Sequence, residues 1–322
     1  IELRQHQCTM PILVLGYTPE DKFPMILAYH LKQTIYTVEQ AQSFSRLAEK
    51  TGRKACLHIK IDTGMSRLGF QPTYATVQAI AELCQWPGLD VEGIYTHFAT
   101  ADDGDKTEAL KQLDQFNWIN NELIKCGCNI PVKHTANSAA IIDMPESHFH
   151  MVRAGIMMYG LYPSEEVDQQ TVKLKRVLAL KTRVAHVKEI ASGTGVSYGL
   201  IYRASKPTRI ATLPVGYADG YTRMLSGQAE VMIHNEKVPV VGRICMDQCM
   251  VDVTGIDVNQ GDEVILYGMN PQEGDTVDDV ARKLRTINYE ITCMINRRVS
   301  RVYIREGRVT KTWDPLFWNE RE

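Results

Sequence analysis

The segment Ala55–Phe70, ACLHIKIDTGMSRLGF, decides the fold. Ala55 to Ile61 is a near-continuous apolar run of strand length, with Lys60 at its end and Asp62 and Arg67 just beyond it. A run of that kind fits a strand covered on both faces, as in a parallel sheet. Thr73 to Cys84 then reads as a helix, and the same unit recurs on either side. Pro11–Leu15 and Gln33–Thr37 read as strands, the second followed by a helix over Val38–Thr51 with apolar Val38, Ala41, Phe44, Leu47 and Ala48. Val91–His97 precedes a long helix over Lys106–Lys125, Pro131–Thr135 is a further strand, and Met151–Arg153 is the core of a sixth. Strands alternating with helices, with polar residues gathered at the strand ends, predict most of a (β/α)8 barrel, whose active sites lie at that face. A doubly wound open sheet is the alternative; no GxGxxG follows any strand, which disfavours its dinucleotide-binding version.

After Ser164 the rhythm changes. Glu165–Lys175 is linker-like, and β-branched runs follow at Val177–Ile190, Val196–Tyr198, Arg209–Val215, Ala229–Ile233, Val238–Cys245, Met250–Val253 and Glu263–Tyr267. Separated by Gly, Asn and Asp turns, they predict a mainly antiparallel β domain over residues 166–322, behind a barrel over residues 1–165. A helix is expected over Asp275–Arg285 with Thr276 as its cap, a return to strand over Thr292–Ile304, and little order in the tail Thr312–Glu322.

Composition bounds the chemistry. The 322 residues are 44% hydrophobic and 23% charged with a formal net charge of -2, as in a globular protein with a real core. No basic arm points to nucleic acid or an anionic membrane, and no apolar run could span a bilayer. Eight cysteines are scattered without a CxxC pair or matching His spacing, which argues against zinc and a disulfide framework and fits a reducing cytoplasm. Ile1–Gln7 reads as the last turns of a helix already under way, so the front of a longer chain is expected to be missing.

The polar residues at the predicted strand ends form a constellation: Lys60, Asp62 and Arg67; His97 and Asp102; His134, Asn137 and Ser138; Arg153, Gly155 and Ile156. Each has a bland reading. A lone His97 or Arg153 is more often a hydrogen-bonded structural group, and Ser138 is most simply a helix N-cap. A helix N-terminus beside the Gly155–Ile156 amides is also a ready phosphate cradle. In the second half, LPVGYADGYTR (Leu213–Arg223) places Tyr217 between glycines at a strand end, where a phenol is presented instead of buried. Together these groups suit a phosphorylated organic cofactor handling a small substrate, with no metal.

Seven motifs then occur in order: HIKIDTGMSRLGF, GIYTHFATAD, HTANSAA, MVRAGIMMYGLYPS, LPVGYADGYTR, VVGRICMDQ and INYE. Their order and spacing resemble the bacterial alanine racemases from Ile1 to about Tyr303. The resemblance implies an N-terminal (β/α)8 barrel with pyridoxal 5'-phosphate (PLP) at its mouth, a C-terminal β domain, and a head-to-tail homodimer with shared active sites. Tyr217 matches the catalytic tyrosine, which acts on the partner's cofactor. Arg153 matches the arginine at the pyridine nitrogen, and His97 the histidine supporting it. Ser138, Gly155, Ile156 and Tyr289 match the phosphate ligands, with Asn137 beside them as a further cofactor-binding candidate. Arg67 matches an arginine near the cofactor's phenolic oxygen and the substrate carboxylate, and Lys60 the lysine that many members carbamylate. Met246 and Asp247 match residues that meet the substrate from the partner.

One motif of the family has no counterpart. The lysine that bonds the cofactor lies near VKANAYGHG at the end of the first barrel strand, and no such stretch occurs here. Ile1–Gln7 resembles the end of the second barrel helix, so the first two βα units, with that lysine, are expected to be absent from this chain. The implied activity is two-base interconversion of L- and D-alanine in the cytoplasm, supplying peptidoglycan. An arginine at the pyridine nitrogen would leave it unprotonated and suppress side reactions, while Tyr217, ordinarily titrating near ~10, must be tuned to act as a base. Three rivals stand beside this reading. The first is a serine racemase of a glycopeptide-resistance system, with a membrane domain possible only through a missing N-terminal region; Tyr289 favours alanine, since asparagine tends to stand there in those relatives. The second is a single-barrel PLP-homeostasis protein, against which the second domain argues, and the third is a catalytically incomplete PLP-binding fragment.

Overall fold

In the computed structural model, which describes residues 1–315, the apolar runs of the first half condense into one five-stranded sheet. Its strands are β1 (Leu13–Val14), β2 (Lys32–Ile35), β3 (Ala55–Lys60), β4 (Leu89–Tyr95) and β5 (Val132–His134), in sequence order and all parallel. The connecting helices are α2 (Phe23–Ala28), α3 (Val38–Thr51), α4 (Tyr74–Leu83) and α5 (Thr107–Lys125); a short α1 (Glu2–Gln5) precedes them and α6 (Ser138–Asp143) follows β5. Local chemistry sets their ends. Thr37 and Thr73 accept hydrogen bonds from Gln40 N and Thr76 N, and Gly52 closes α3 in the left-handed region. The sequence did not announce α2, which packs Phe23 against Phe44 with ring centroids 3.8 Å apart.

The sheet has two unlike faces. Leu57, Ile59 and Ile61 join Ile35, Ile94, Phe44, Ile80 and Phe116 in one buried apolar cluster with the helices. The other face of the same strands carries Thr34, His58, Lys60, Tyr95 and His134, all buried. Register explains how β4 serves both. Leu57 pairs with Val91 but His58 pairs with Gly93, so Glu92 is an extra residue in β4. Leu89 and Val91 pack on the helix side before this bulge, and Ile94 does so after it.

The expected sixth strand at Met151–Arg153 does not form. His150 N donates to Lys133 O (3.1 Å) and Arg153 N to Ala136 O (3.0 Å), a spacing of three residues where a ladder repeats every two. The segment leads into a 3-10 helix at Ile156–Tyr159.

The chain divides into two compact units, Ile1–Met158 with Tyr162–Leu174, and Tyr159–Leu161 with Lys175 onward. In the second unit, seven strands form an antiparallel sheet: β6 (Leu180–Arg183), β7 (His186–Ile190), β10 (Thr208–Leu213), β11 (Glu230–Ile233), β12 (Glu236–Val241), β13 (Cys249–Asp252) and β14 (Glu263–Tyr267). Their order is β6-β14-β11-β12-β13-β10-β7, and β8 (Gly195–Val196) pairs with β9 (Tyr202–Arg203) apart from it. His234 and Asn235, both at positive φ, turn β11 into β12. Thr276 and Asp279 form a capping box on α7 (Val277–Leu284).

The expected return to strand at Thr292 is delayed. Helix α8 (Asn288–Met294) holds Thr292, whose hydroxyl bonds back to Tyr289 O (2.8 Å), and β15 begins only at Arg301. β15 (Arg301–Arg305) and β16 (Arg308–Trp313) make a hairpin that includes Thr312, where the sequence predicts little order; residues 316–322 of that tail lie outside the described residues. No described helix is long and apolar enough to cross a membrane.

Candidate active site

Arg153 is the centre of the first unit's polar cluster. One terminal nitrogen donates to His134 Nδ1 (2.7 Å) and His134 O (3.0 Å), the other to Thr96 O (2.8 Å) and Thr135 O (2.9 Å). His97 Nδ1 lies 3.4 Å from the second nitrogen. The guanidinium thus ties together the C-terminal ends of β4 and β5.

Those bonds fix the protons behind it. A guanidinium only donates, so His134 Nδ1 must accept, and the neutral ring carries its proton on Nε2. That proton faces His58 Nδ1 at 2.9 Å, which leaves His58 with its own proton on Nε2; this nitrogen makes no hydrogen bond among the described residues, and Glu92 Oε2 is 3.6 Å away. Glu92 in turn accepts from the Cys56 thiol (2.9 Å) and pairs with Lys32. Burial alone would raise the Glu92 carboxyl, but the Cys56 and Lys32 bonds hold it below the usual range. Gly93 makes room for this arrangement: a Cβ there would sit 2.1 Å from His58 Nδ1.

Tyr95 roofs the cluster. Its ring stacks on His134 (centroids 4.5 Å apart, 10° between planes), and its hydroxyl meets Thr34 Oγ1 at 3.0 Å. Arg153 and Lys60 both lie over the same ring, at 5.1 and 5.4 Å from its centroid. Lys60 is buried and donates to Ile61 O (2.7 Å). Burial, with Arg153 and Arg67 nearby, lowers its amine to about 8 although Asp62 opposes the shift. Arg67 itself is exposed.

All three imidazoles resist protonation. Burial first, then neighbouring cations, lowers His134 to about 2 and His97 to about 4; burial also lowers His58 to about 4. The unfolded chain protonates histidine near ~6.5. Between that pH and about 4 it therefore binds more protons than the folded chain, and stability falls as pH falls through this window. The urea midpoint should drop from pH 7 to pH 5, and His134→Asn should flatten the slope. A midpoint that does not change over that range would contradict the neutral relay.

The phosphate cradle is arranged differently from the sequence reading. Asn137, not Ser138, caps α6, its side chain accepting from Ala140 N (3.1 Å). Ser138 is buried, and its Oγ accepts from Gly155 N (2.9 Å), with Met157 N at 3.5 Å. Ser138, Gly155 and the adjoining Ile156 are therefore together. Three cations of the same unit, Lys60, Arg67 and Arg153, lie near one another. Among the described residues none of them has an ion-pair partner within salt-bridge distance, and no metal-binding group occurs. A hydroxyl, backbone amides and cations without ion-pair partners form a set that fits an anionic phosphate ester such as PLP.

In the second unit Tyr217 is 44% exposed on a 3-10 turn, Tyr217–Asp219. The turn docks by its backbone: Tyr217 N donates to Cys245 O (3.1 Å) and Ala218 N to Met246 O (2.8 Å). A Cβ on Gly216 would lie 2.3 Å from Cys245 O, which explains the glycine. Asp219 bonds back to Gly216 N (2.9 Å) and pairs with Arg298 (2.9 Å). Tyr217 is thus presented beside exposed Met246 and Asp247, and Tyr289 lies on the first turn of α8.

Tyr95, His58 and Glu92 are not among the sequence candidates, and His134 stands there without a role. The available signal is spacing: His58 and Lys60 are two apart in β3, hence on one face.

Comparison with known proteins agrees in both halves. Residues 1–163 match the family model for the alanine racemase N-terminal domain, and residues 177–303 the model for the C-terminal domain. An alanine racemase of Methanococcus maripaludis is 48% identical over 305 residues, covering 94% of this chain and 82% of that protein. One of Clostridium tetani is 48% identical over 311 residues, covering 96% and 80%. The alanine racemase structure of Clostridium difficile 630 superposes with a TM-score of 0.93 at 44% identity, covering 97% of this chain and 81% of that one. That of Bacillus anthracis with bound L-Ala-P gives 0.92 at 36% identity, covering 98% and 81%. With both domains matched and identities near one half, the chain belongs to the alanine racemase family.

Proposed function

We propose that the full-length gene product interconverts L- and D-alanine in the cytoplasm with PLP at the barrel mouth, supplying D-alanine for peptidoglycan. The functional division follows the sequence reading, residues 1–165 for the cofactor and 166–322 for the second domain. The observation that carries this reading is Arg153, a half-buried cation whose hydrogen-bond partners are carbonyls and neutral imidazoles. It stays protonated, its pKa lowered by burial only to about 10. A neutral nitrogen heterocycle would receive a hydrogen bond there without taking a proton.

When bound, PLP supplies an electron sink for the substrate's α-carbon. The chain's own residues do the rest. Ser138 and the Gly155 and Ile156 amides hold phosphate, with Asn137 ordering the helix start and Tyr289 as a further ligand. Arg153, braced by His97, orients the ring. Arg67 binds carboxylate. Tyr217, with Met246 and Asp247 beside it, reaches the partner subunit's cofactor in a head-to-tail homodimer and takes or gives the α-proton on one face. Their shared exposure supports that role. Lys60 is the carbamylation candidate: an amine at about 8 leaves about a tenth of it neutral at pH 7, and only the neutral form adds carbon dioxide.

The test is racemisation of both amino acids by full-length protein supplied with PLP. L-alanine should racemise faster than L-serine, and Tyr289→Asn should shift the kcat/KM ratio towards serine. No racemisation at all would overturn the proposed activity, and an unchanged ratio would remove Tyr289 from the specificity argument.

A further inference from the structure

At the opposite end of the parallel sheet, two thiols face each other. Cys84 is the C-cap of α4 and precedes β4; Cys128 lies between α5 and β5. The sulfurs are 2.8 Å apart. Both line a cleft of about 270 Å³ together with Gln85, Asp90 and Asn129, so a small polar molecule can reach them. β4 spans Leu89 to Tyr95, which separates this pair from Tyr95 and His97 by roughly 20 Å of strand. The pair therefore has no part in the proposed racemisation.

We propose that Cys84 and Cys128 are a dithiol that hydrogen peroxide converts into a reversible disulfide. One thiolate attacks a peroxide oxygen, the O–O bond breaks, and water leaves after protonation, giving a sulfenic acid. The second sulfur then attacks the first; the S–S bond forms, the S–O bond breaks, and a second water leaves. Two thiols lose two electrons and two protons to one peroxide, which becomes two waters. The hydrogen bond between the sulfurs decides which ionises first. The contact with Cys84 lowers Cys128, while the same contact and then burial push Cys84 up. Neither sulfur has a cation beside it in the cleft, and both follow helix C-termini, so attack is slow. The second step, by contrast, needs almost no movement.

The disulfide would join the C-terminal ends of α4 and α5 and close a long loop in the unfolded chain, which stabilises the fold. Full-length protein should be treated with hydrogen peroxide, alkylated, digested and mapped by mass spectrometry. A peptide linking Cys84 to Cys128, two hydrogens lighter than its parts and split by dithiothreitol, is expected. The melting temperature should rise by several degrees on oxidation. Cys84→Ser should abolish both effects, leave Cys128 to proceed to the sulfinic acid, and racemise alanine normally in reducing buffer. The proposal is overturned if Cys84 and Cys128 stay separately alkylatable after exposed Cys126 and Cys293 have oxidised, or if the link joins Cys126 instead.

Discussion

Replacing Tyr217 by phenylalanine in the full-length gene product is expected to lower kcat/KM for L-alanine by ~10²–10⁴-fold, the usual effect of losing a general base. Stability should change by no more than about 0.5 kcal/mol, because the side chain is 44% exposed and the turn is held by its backbone and by Asp219. PLP affinity should be unchanged. The loss should fall on abstraction of the α-proton from the L-enantiomer, so a deuterium isotope effect should grow in that direction more than from D-alanine. Because the proposed site is shared, mixing Tyr217→Phe subunits with subunits lacking the cofactor-bonding lysine should recover part of the activity. In such a heterodimer one site holds both bases and the other neither. Mixed dimers that form yet remain as inactive as either parent would show that Tyr217 does not work across the interface.

Arg153→Lys is the second large effect expected. The arginine serves four acceptors from two strand ends, with His134 Nδ1 at 2.7 Å and the carbonyls of Thr96, His134 and Thr135 within 3.0 Å. An ammonium has no planar fork and cannot reach that set. Buried acceptors left without donors cost about 1–3 kcal/mol each, so a net loss of about 2–4 kcal/mol is expected once water or the lysine satisfies some of them. His134 would also be free to change tautomer. Turnover should fall by roughly 10²-fold as a general-base-sized loss, with weaker PLP binding. Denaturation and a cofactor titration measure both arms. A variant with wild-type stability and turnover within twofold would show that the fork positions nothing.

The sequence disclosed the barrel more readily than its interior. Pattern alone marks β3 and the helix over Val38–Thr51 to within a residue, because strand length and helical period are local properties. It also marks Arg153, Ser138 and Gly155, since they stand in turns where polar groups are conspicuous. His58 and Glu92 escape because inside a strand one histidine among apolar neighbours reads as a tolerated exception. Their meaning comes from partners 76 and 36 residues away in the chain, His134 and Cys56. Met151–Arg153 reads as strand for the opposite reason: its composition suits one, and only the three-residue spacing of its bonds to Lys133 and Ala136 rules it out. Ser138 reads as the cap because both it and Asn137 suit that role, and the choice depends on which side chain Gly155 needs.

The extra residue at Glu92 acts as a phase shifter. Upstream of it the odd-numbered residues of β4 face the helices; downstream the even-numbered Ile94 does, which sends Gly93 and Tyr95 inward. A deletion at this one position would leave a strand of ordinary length and sequence, still able to pair. Gly93 would then follow Val91 in simple alternation, so Gly93 and Tyr95 would still face inward and Ile94 the helices, but the carboxylate that Cys56, Lys32 and His58 approach would be gone. The extra residue therefore adds a charge to the polar face without turning any of the residues that follow it, so its loss would cost a buried network its acid and leave the strand's pairing intact.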